Sequence, residues 1–226
     1  MADMQKARWS ISRLSLFETC AKKFEFKYIA KIPEVEGPAM RRGSAIHAEA
    51  ETYLKKKVSR LPASLVRFGD DFRRLRKRRA APEAMWAFDR DWNPVRFDDT
   101  FKDWDHIWLL AKTDAHYTYD KTVVVVDFKT GAVRASEDQE KLYALAALAK
   151  FADAAFARPE FWYLDHGTTF PETPNVYARR DVARMKKEFE ARAMKIEKAK
   201  RYSATPGRHC NWCSYSKTKG GPCKAG

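Results

Sequence analysis

The sequence predicts an α/β fold, a small mixed sheet flanked by helices. Three observations carry this. Residues 123–129 hold four consecutive valines, bounded by Tyr119-Asp120-Lys121 and Thr130-Gly131. β-Branched side chains lose rotamer freedom in a helix and favour a strand, and an unbroken apolar run between turn signals suits a strand buried on both faces. Residues 107–117, just before, are rich in apolar, aromatic and Thr residues, so the two runs read as a strand pair. Finally, residues 138–152 and 181–201 carry apolar side chains at helical spacing, Leu142, Leu145, Ala146 and Ala149 in one and Met185, Phe189, Ala193 and Ile196 in the other.

Composition sets the outer limits. With 226 residues, 45% of them hydrophobic, the chain fits one domain with a small appendage. No apolar run approaches the roughly 20 residues of a membrane span. The opening stretch MADMQKARWS lacks a secretory apolar region, so the expectation is a cytoplasmic protein of a bacterium or a phage-infected host cell. The 44 Lys and Arg against 30 Asp and Glu leave a net charge of +14. Such a field favours anionic partners, nucleic acid first and an acidic membrane surface second. Clustered cysteines in a cytosolic chain suggest metal rather than disulfides. The four here are Cys20, Cys210, Cys213 and Cys223.

In chain order, residues 10–31 open as an amphipathic helix through Leu14, Phe17, Cys20 and Phe24, with Ser12 as its N-cap. Residues 33–38 are a loop. A helix follows over 42–57, with Ser44 near its start and with His47 and Glu51 on one face. Residues 65–79 read as a helix whose arginines, Arg73 to Arg79, form either a solvated face or a phosphate-contacting one. Residues 83–88 look like the first core strand, with Glu83 as an extra acidic candidate. Trp86, Phe88, Trp92 and Phe97 are core aromatics or stacking platforms for single strands. After the helix at 138–152, residues 161–164 form a strand beside the valine strand, and a further short strand falls near 175–178. Asp181 caps the long last helix. The tail from 202 to 226 has little to pack with and needs a staple.

The chemistry sits where the valine strand ends. Side chains alternate along a strand, so Asp127 and Lys129 share a face and Phe128 takes the other. If the two central strands pair antiparallel, Asp114 approaches Asp127 across the pair. Converging carboxylates repel, and hard oxygen donors suit Mg²⁺ or Mn²⁺. A Lys two residues along orients water or steadies charge on a phosphate. The alternative is a surface hairpin with an ordinary ion pair.

Asp114, then Asp127-Phe128-Lys129-Thr130-Gly131, then Gln139-Glu140-Lys141-Leu142-Tyr143 resembles the PD-(D/E)xK nuclease core. The likeness is to the RecB-type branch, which includes phage exonucleases and CRISPR-associated nucleases. Its usual G-x-x-D appears as Ala111-Lys112-Thr113-Asp114, and Gly43 to His47 matches its G-x-x-I/L-H pattern. The resemblance implies a restriction-endonuclease-like core in which Asp114, Asp127, His47 and a backbone carbonyl near Phe128 bind metal. Lys129 then acts in catalysis, and Gln139 and Tyr143 support the site and the DNA. It further implies an exonuclease on DNA ends or single strands, in recombination, repair or phage genome processing.

The opening residues match the branch's S-x-S-R-L-x-x-F-x-x-C stretch, with Ala21 where Pro is usual. Relatives with one early and three late cysteines hold a [4Fe-4S] cluster. Cys20, Cys210, Cys213 and Cys223 fit that pattern, with a wider gap between the last two than is common. Zinc is the rival, with four cysteines or with His209 replacing one. The expected organisation is a nuclease domain over residues 1–201 and a cysteine-rich tail over 202–226, joined to Cys20 through the cluster. A non-catalytic nucleic-acid-binding module that kept the fold is the other reading.

Overall fold

The structure, a computed structural model, describes residues 8–98, 100–134 and 136–225. Residues 1–7, part of the opening stretch read above for targeting signals, lie outside them. Seven strands form one sheet: β1 (Ala81–Phe88), β2 (Pro94–Val95), β3 (Leu109–Tyr119), β4 (Thr122–Lys129), β5 (Phe156–Tyr163), β6 (Thr168–Thr169) and β7 (Tyr177–Ala178). Their order is β2-β1-β3-β4-β5-β6, with β7 pairing the other end of β5. All pairings are antiparallel except β4 with β5. A parallel pair needs a crossover, and this one runs through the helix Glu137–Lys150.

The helices are α1 (Ile11–Thr19), α2 (Ala21–Phe24, continued by a π turn at Glu25–Ile29), α3 (Pro38–Leu54), α4 (Gly69–Lys77), α5 (Glu137–Lys150) and α6 (Val182–Lys198). They cover both faces of the sheet, which explains the valine run. Val123 and Val125 join a core with Leu14, Leu142, Leu145, Phe161 and Phe189, from α1, α5, β5 and α6. Val124, Val126 and Phe128 join a second core with Ile46, Tyr53, Phe72 and Trp162, from α3, α4 and β5. None of the four valines is more than 2% exposed. Burial of each contributes about 1.5 kcal/mol or more, so alternation with polar residues would weaken this strand.

Several boundaries differ from the sequence expectation, each for a local reason. Ser10, not Ser12, caps α1: its Oγ accepts from the Arg13 amide at 3.4 Å. The third helix starts at Pro38 rather than near Ser44, because Gly37-Pro38 supplies an extended cap followed by proline at the first helical position. Residues 65–79 are not one helix but a 3₁₀ stretch, Ala63–Phe68, followed by α4. Asp181 holds the N-cap position of α6 as expected, but its side chain caps the preceding 3₁₀ turn instead, Oδ2 accepting from the Ala178 amide at 3.1 Å. The edge strand expected at 175–178 shrinks to Tyr177–Ala178.

His116, on β3, packs edge-on against Trp86 at 4.9 Å and beside Phe151 at 5.6 Å. Its Nδ1 is buried without a hydrogen-bond partner. Burial, with Lys150 nearby, drives its pKa down to about 4, so the folded state holds it neutral. Below its ordinary value of about 6.5 the unfolded chain takes up the proton and the folded chain does not. Stability is therefore lost as pH falls from about 6.5 to about 4, by on the order of 2 kcal/mol after allowing for partial exposure. Urea midpoints at pH 7 and pH 5 should converge in His116→Phe, which keeps the aromatic packing. An undiminished pH dependence in that variant would assign the effect to other groups.

Candidate active site and cysteine pocket

The registered pairs of β3 with β4 run from Tyr119–Thr122 to Ala115–Val126 and stop there. β4 continues to pair with β5 as far as Lys129–Tyr163. Asp114 lies one residue past the end of the β3–β4 ladder. Its Oδ2 accepts from the Phe128 amide at 2.6 Å, so a carboxylate takes the place of a backbone acceptor where the strands part. His47 on α3 donates through Nδ1 to Asp114 Oδ1 at 3.1 Å. α3 comes this close because Gly43, one turn earlier, faces the loop after β4: a Cβ there would stand 3.1 Å from Thr130 Oγ1. Arg42 on the same helix pairs with Asp165, and Asp165 Oδ2 also accepts from the Gly131 amide at 2.7 Å. That contact ties α3 to both loops that leave the central strands.

Asp127 is 6% exposed and sits in a network with the other residues of the motif. Tyr143 donates to its Oδ1 at 2.7 Å, and Gln139 Nε2 donates to the same oxygen at 3.0 Å. Lys129 Nζ lies 2.7 Å from Oδ2 and donates to Gln139 Oε1 at 2.8 Å. Oδ2 has this ammonium beside it but no well-aligned hydrogen bond. Gln139 and Tyr143 face the same way because they are one helical turn apart on α5, and Gln139 also donates to Tyr143 at 2.9 Å. The structure thus brings His47, Asp114, Asp127, Phe128, Lys129, Gln139 and Tyr143 to one end of the central strands.

The electrostatics follow from burial. Desolvation pushes the Asp127 carboxyl up and the Asp114 charge adds to it, while Lys129 and Tyr143 pull it back only in part. Burial also raises the Tyr143 phenol, with the Asp127 charge helping. For His47, burial disfavours the imidazolium, but the Asp114 bond and charge, with Asp127 and Glu83 farther off, together outweigh it and raise the pKa. An oxygen-rich donor set with one buried oxygen lacking an aligned bond suits a hard divalent cation.

The group whose donor atoms lie closest is His47, Glu83 and Asp114, all within 4.8 Å of one another. Asp127 is outside that group. Glu83 was legible only as a weak acidic candidate, because nothing in the pattern of residues 83–88 sets it apart. Glu51 lines the same cleft as His47 and Glu83 but pairs with Lys55 at 2.5 Å. The basic cluster is partly neutralised: Arg73 pairs with Asp70 at 2.5 Å, and Arg74 pairs with Asp71. Arg76 donates to the Val58 carbonyl at 2.9 Å, and Arg78 lies over the rings of Tyr117 and Tyr119. Arg74, Arg78 and Arg158 line one groove with Tyr117.

The four cysteines come together far from this site in sequence terms. Cys20 ends α1, Cys210 lies in a 3₁₀ turn at Arg208–Trp212, and Cys213 follows it. Cys223 is brought back by its amide, which donates to the Tyr215 carbonyl at 2.9 Å. That return needs Gly221, where a Cβ would sit 2.3 Å from the Tyr215 carbonyl carbon. All four cysteines line one pocket, with Phe26, Pro206, His209 and Tyr215 among its walls. The thiols are not disulfide-bonded. The tail is anchored beside them: Tyr215 donates to the Ile32 carbonyl at 2.8 Å, and the Lys22 amide donates to Ser203 at 3.1 Å.

The sequence model of the PD-(D/E)XK nuclease superfamily matches residues 8–218, and the chain belongs to that superfamily. Its α/β architecture, a mostly antiparallel sheet with helices on both faces, is the restriction-endonuclease-like one expected of it. Nucleases of this superfamily use divalent metals and act on nucleic acid, so membership points to a nuclease. Among solved structures, the crystal structure of SSO0001 is similar at 15% identity and a TM-score of 0.47, over 97% of this chain and 86% of that one. No curated protein matches the chain. Among the described residues no helix is long and apolar enough to cross a membrane.

Proposed function

We propose that this chain is a Mg²⁺- or Mn²⁺-dependent deoxyribonuclease that works as an exonuclease on single strands or duplex ends. Recombination, repair or phage genome processing would use such an activity, and the RecB-type motif order supports that branch. The observation that carries the reading is the junction of β3 and β4. Two nearly buried carboxylates, Asp114 and Asp127, stand at that junction, with Lys129 held against Asp127.

In this reading His47, Asp114, Asp127 and the backbone at Phe128 hold the cation. When bound, a divalent ion supplies Lewis acidity, lowering the pKa of water and offsetting phosphate charge. Lys129 sits between Asp127 and Gln139, where its ammonium can orient the attacking water or balance charge gathering on the phosphoryl oxygens. Gln139 and Tyr143 hold Asp127 Oδ1 and so aim its other oxygen. The Arg78 and Arg158 groove contacts the DNA backbone regardless of sequence. Cleavage of end-labelled single-stranded and duplex DNA, with Mg²⁺ and with EDTA, tests this. Metal-dependent loss of label from the ends is the expected result. Binding without cleavage under all metals would leave the non-catalytic module as the function.

The cysteine pocket is read as a [4Fe-4S] site of structural role, ligated by Cys20, Cys210, Cys213 and Cys223. Support comes from the convergence of these thiols on one pocket and from the anchoring of the tail at its rim. Four thiolates are the usual ligand set. Protein purified without oxygen should be brown, with broad absorbance near about 400 nm. Cys20→Ser should bleach it and expose the tail to protease. Colourless protein with stoichiometric zinc would replace iron by zinc here and keep the staple.

A further inference from the structure

Glu83 occupies a position that ordinary strand pairing does not explain. β1 registers with β3 at Pro82–Ala115 and at Ala84–Thr113, and the intervening pair, Glu83 opposite Asp114, is missing. Glu83 has φ of +51°, a left-handed conformation rare for a non-glycine residue inside a strand. Its side chain is only 16% exposed and reaches the group formed with His47 and Asp114. Two carboxylates therefore stand together beside an imidazole.

Among the described residues, the cation paired with Glu83 is Lys112, two residues before Asp114 on β3. It is a weak permanent partner. The Lys112 side chain is 55% exposed, and a flexible ammonium in contact with water gains little from such a pair. Lys112 also lines both clefts that flank the site. One cleft is formed with Gly43, Ser44, His47 and Glu51, the other with Ser10, Arg13, Gln139 and Tyr143. Released from Glu83, its ammonium has open space on either side in which to meet a phosphate.

We propose that Glu83 is a further side-chain ligand of the site's divalent cation, and that Lys112 is the placeholder that neutralises it until the cation binds. The inference rests on the nuclease reading above and adds to it one ligand and one displaced cation. An imidazole nitrogen with two carboxylate oxygens is a donor set for Mn²⁺ or Mg²⁺. The distorted backbone of β1 is what turns the third donor inward. Cation binding exchanges the Glu83–Lys112 pair for a Glu83–metal contact. Metal affinity therefore includes the cost of breaking that pair, and Lys112 is freed toward the substrate only when the cation is in place.

The test is Mn²⁺ binding to the full chain, read from the electron paramagnetic resonance signal of free Mn²⁺, so that no turnover is needed. Asp114→Asn should lose most of the affinity. Glu83→Gln and Glu83→Gly should each weaken it on the order of tenfold, whereas Lys112→Met should tighten it severalfold. Glycine adopts positive φ without strain. Glu83→Gly should therefore unfold at or above the wild-type temperature, which separates a lost ligand from a lost fold. Wild-type affinity in both Glu83 variants, with Asp114→Asn still defective, overturns Glu83 as a ligand and leaves the nuclease site standing. Weaker binding in Lys112→Met overturns the placeholder. Wild-type affinity in Asp114→Asn overturns the metal site itself.

Discussion

Replacing Asp114 or Asp127 by Asn is expected to abolish DNA cleavage while the chain stays folded. Each change removes one charge from the proposed cation site, and a loss of at least about a thousandfold in rate corresponds to about 4 kcal/mol of transition-state stabilisation. The fold survives because the amide keeps the contacts that matter locally. In Asp114→Asn the carbonyl oxygen can still accept from the Phe128 amide, now made at 2.6 Å. The amide nitrogen then faces His47 Nδ1, which must become the acceptor. In Asp127→Asn the oxygen still accepts from Tyr143 and Gln139. The Lys129 ammonium, 28% exposed at its side chain, turns toward water. DNA binding measured with Ca²⁺ should persist in both variants, because backbone contacts made by arginines elsewhere are untouched. Near-normal cleavage by both variants would end the assignment of this site.

The second large effect concerns Lys129. Lys129→Ala should lower turnover by about a hundredfold or more, as expected when charge stabilisation in the transition state is lost. Affinity should change far less, since one phosphate contact among many is removed. Asp127 Oδ1 remains held by Tyr143 and Gln139, so the carboxylate keeps its place while losing the ammonium beside Oδ2. Equal losses in turnover and affinity would make Lys129 a binding residue. Neutralising Arg78 should do the reverse, weakening binding and flattening its dependence on salt. Arg73, Arg74 and Arg158 should matter less, because Asp70, Asp71 and Glu160 already pair with them. An unchanged salt slope would remove the groove from the DNA path.

Much of this protein was legible before any coordinates. The valine run announced a strand buried on both faces because burial on both faces is the physical reason for four consecutive β-branched residues. Asp127 and Lys129 shared a face by the two-residue period of a strand, and Gln139 and Tyr143 by the turn of a helix. The apolar face of α6 followed from spacing alone, whereas α5 is buried on every side from Leu142 to Leu148, beyond the one stripe its spacing announced. Where local rules competed, the sequence misled: Ser12 read as the cap of α1, and the backbone used Ser10. A run of arginines suggested one long helix, yet Gly69 opens α4 after a separate 3₁₀ stretch.

Tertiary structure decided the rest. Periodicity cannot show that the β3–β4 ladder ends at Ala115–Val126, and that ending is what frees the Asp114 carboxylate to take the Phe128 amide. Nor can it show Glu83 turning inward, since a positive φ in a strand leaves no mark on residue type when the residue is not glycine. The return of Cys210, Cys213 and Cys223 to Cys20 likewise depends on contacts between distant segments, Tyr215 on Ile32 and Ser203 on Lys22. Local sequence determines which faces are apolar and which residues share them. Which polar side chains finally meet is set by how the faces pack, because only packing brings together groups that chain spacing leaves far apart.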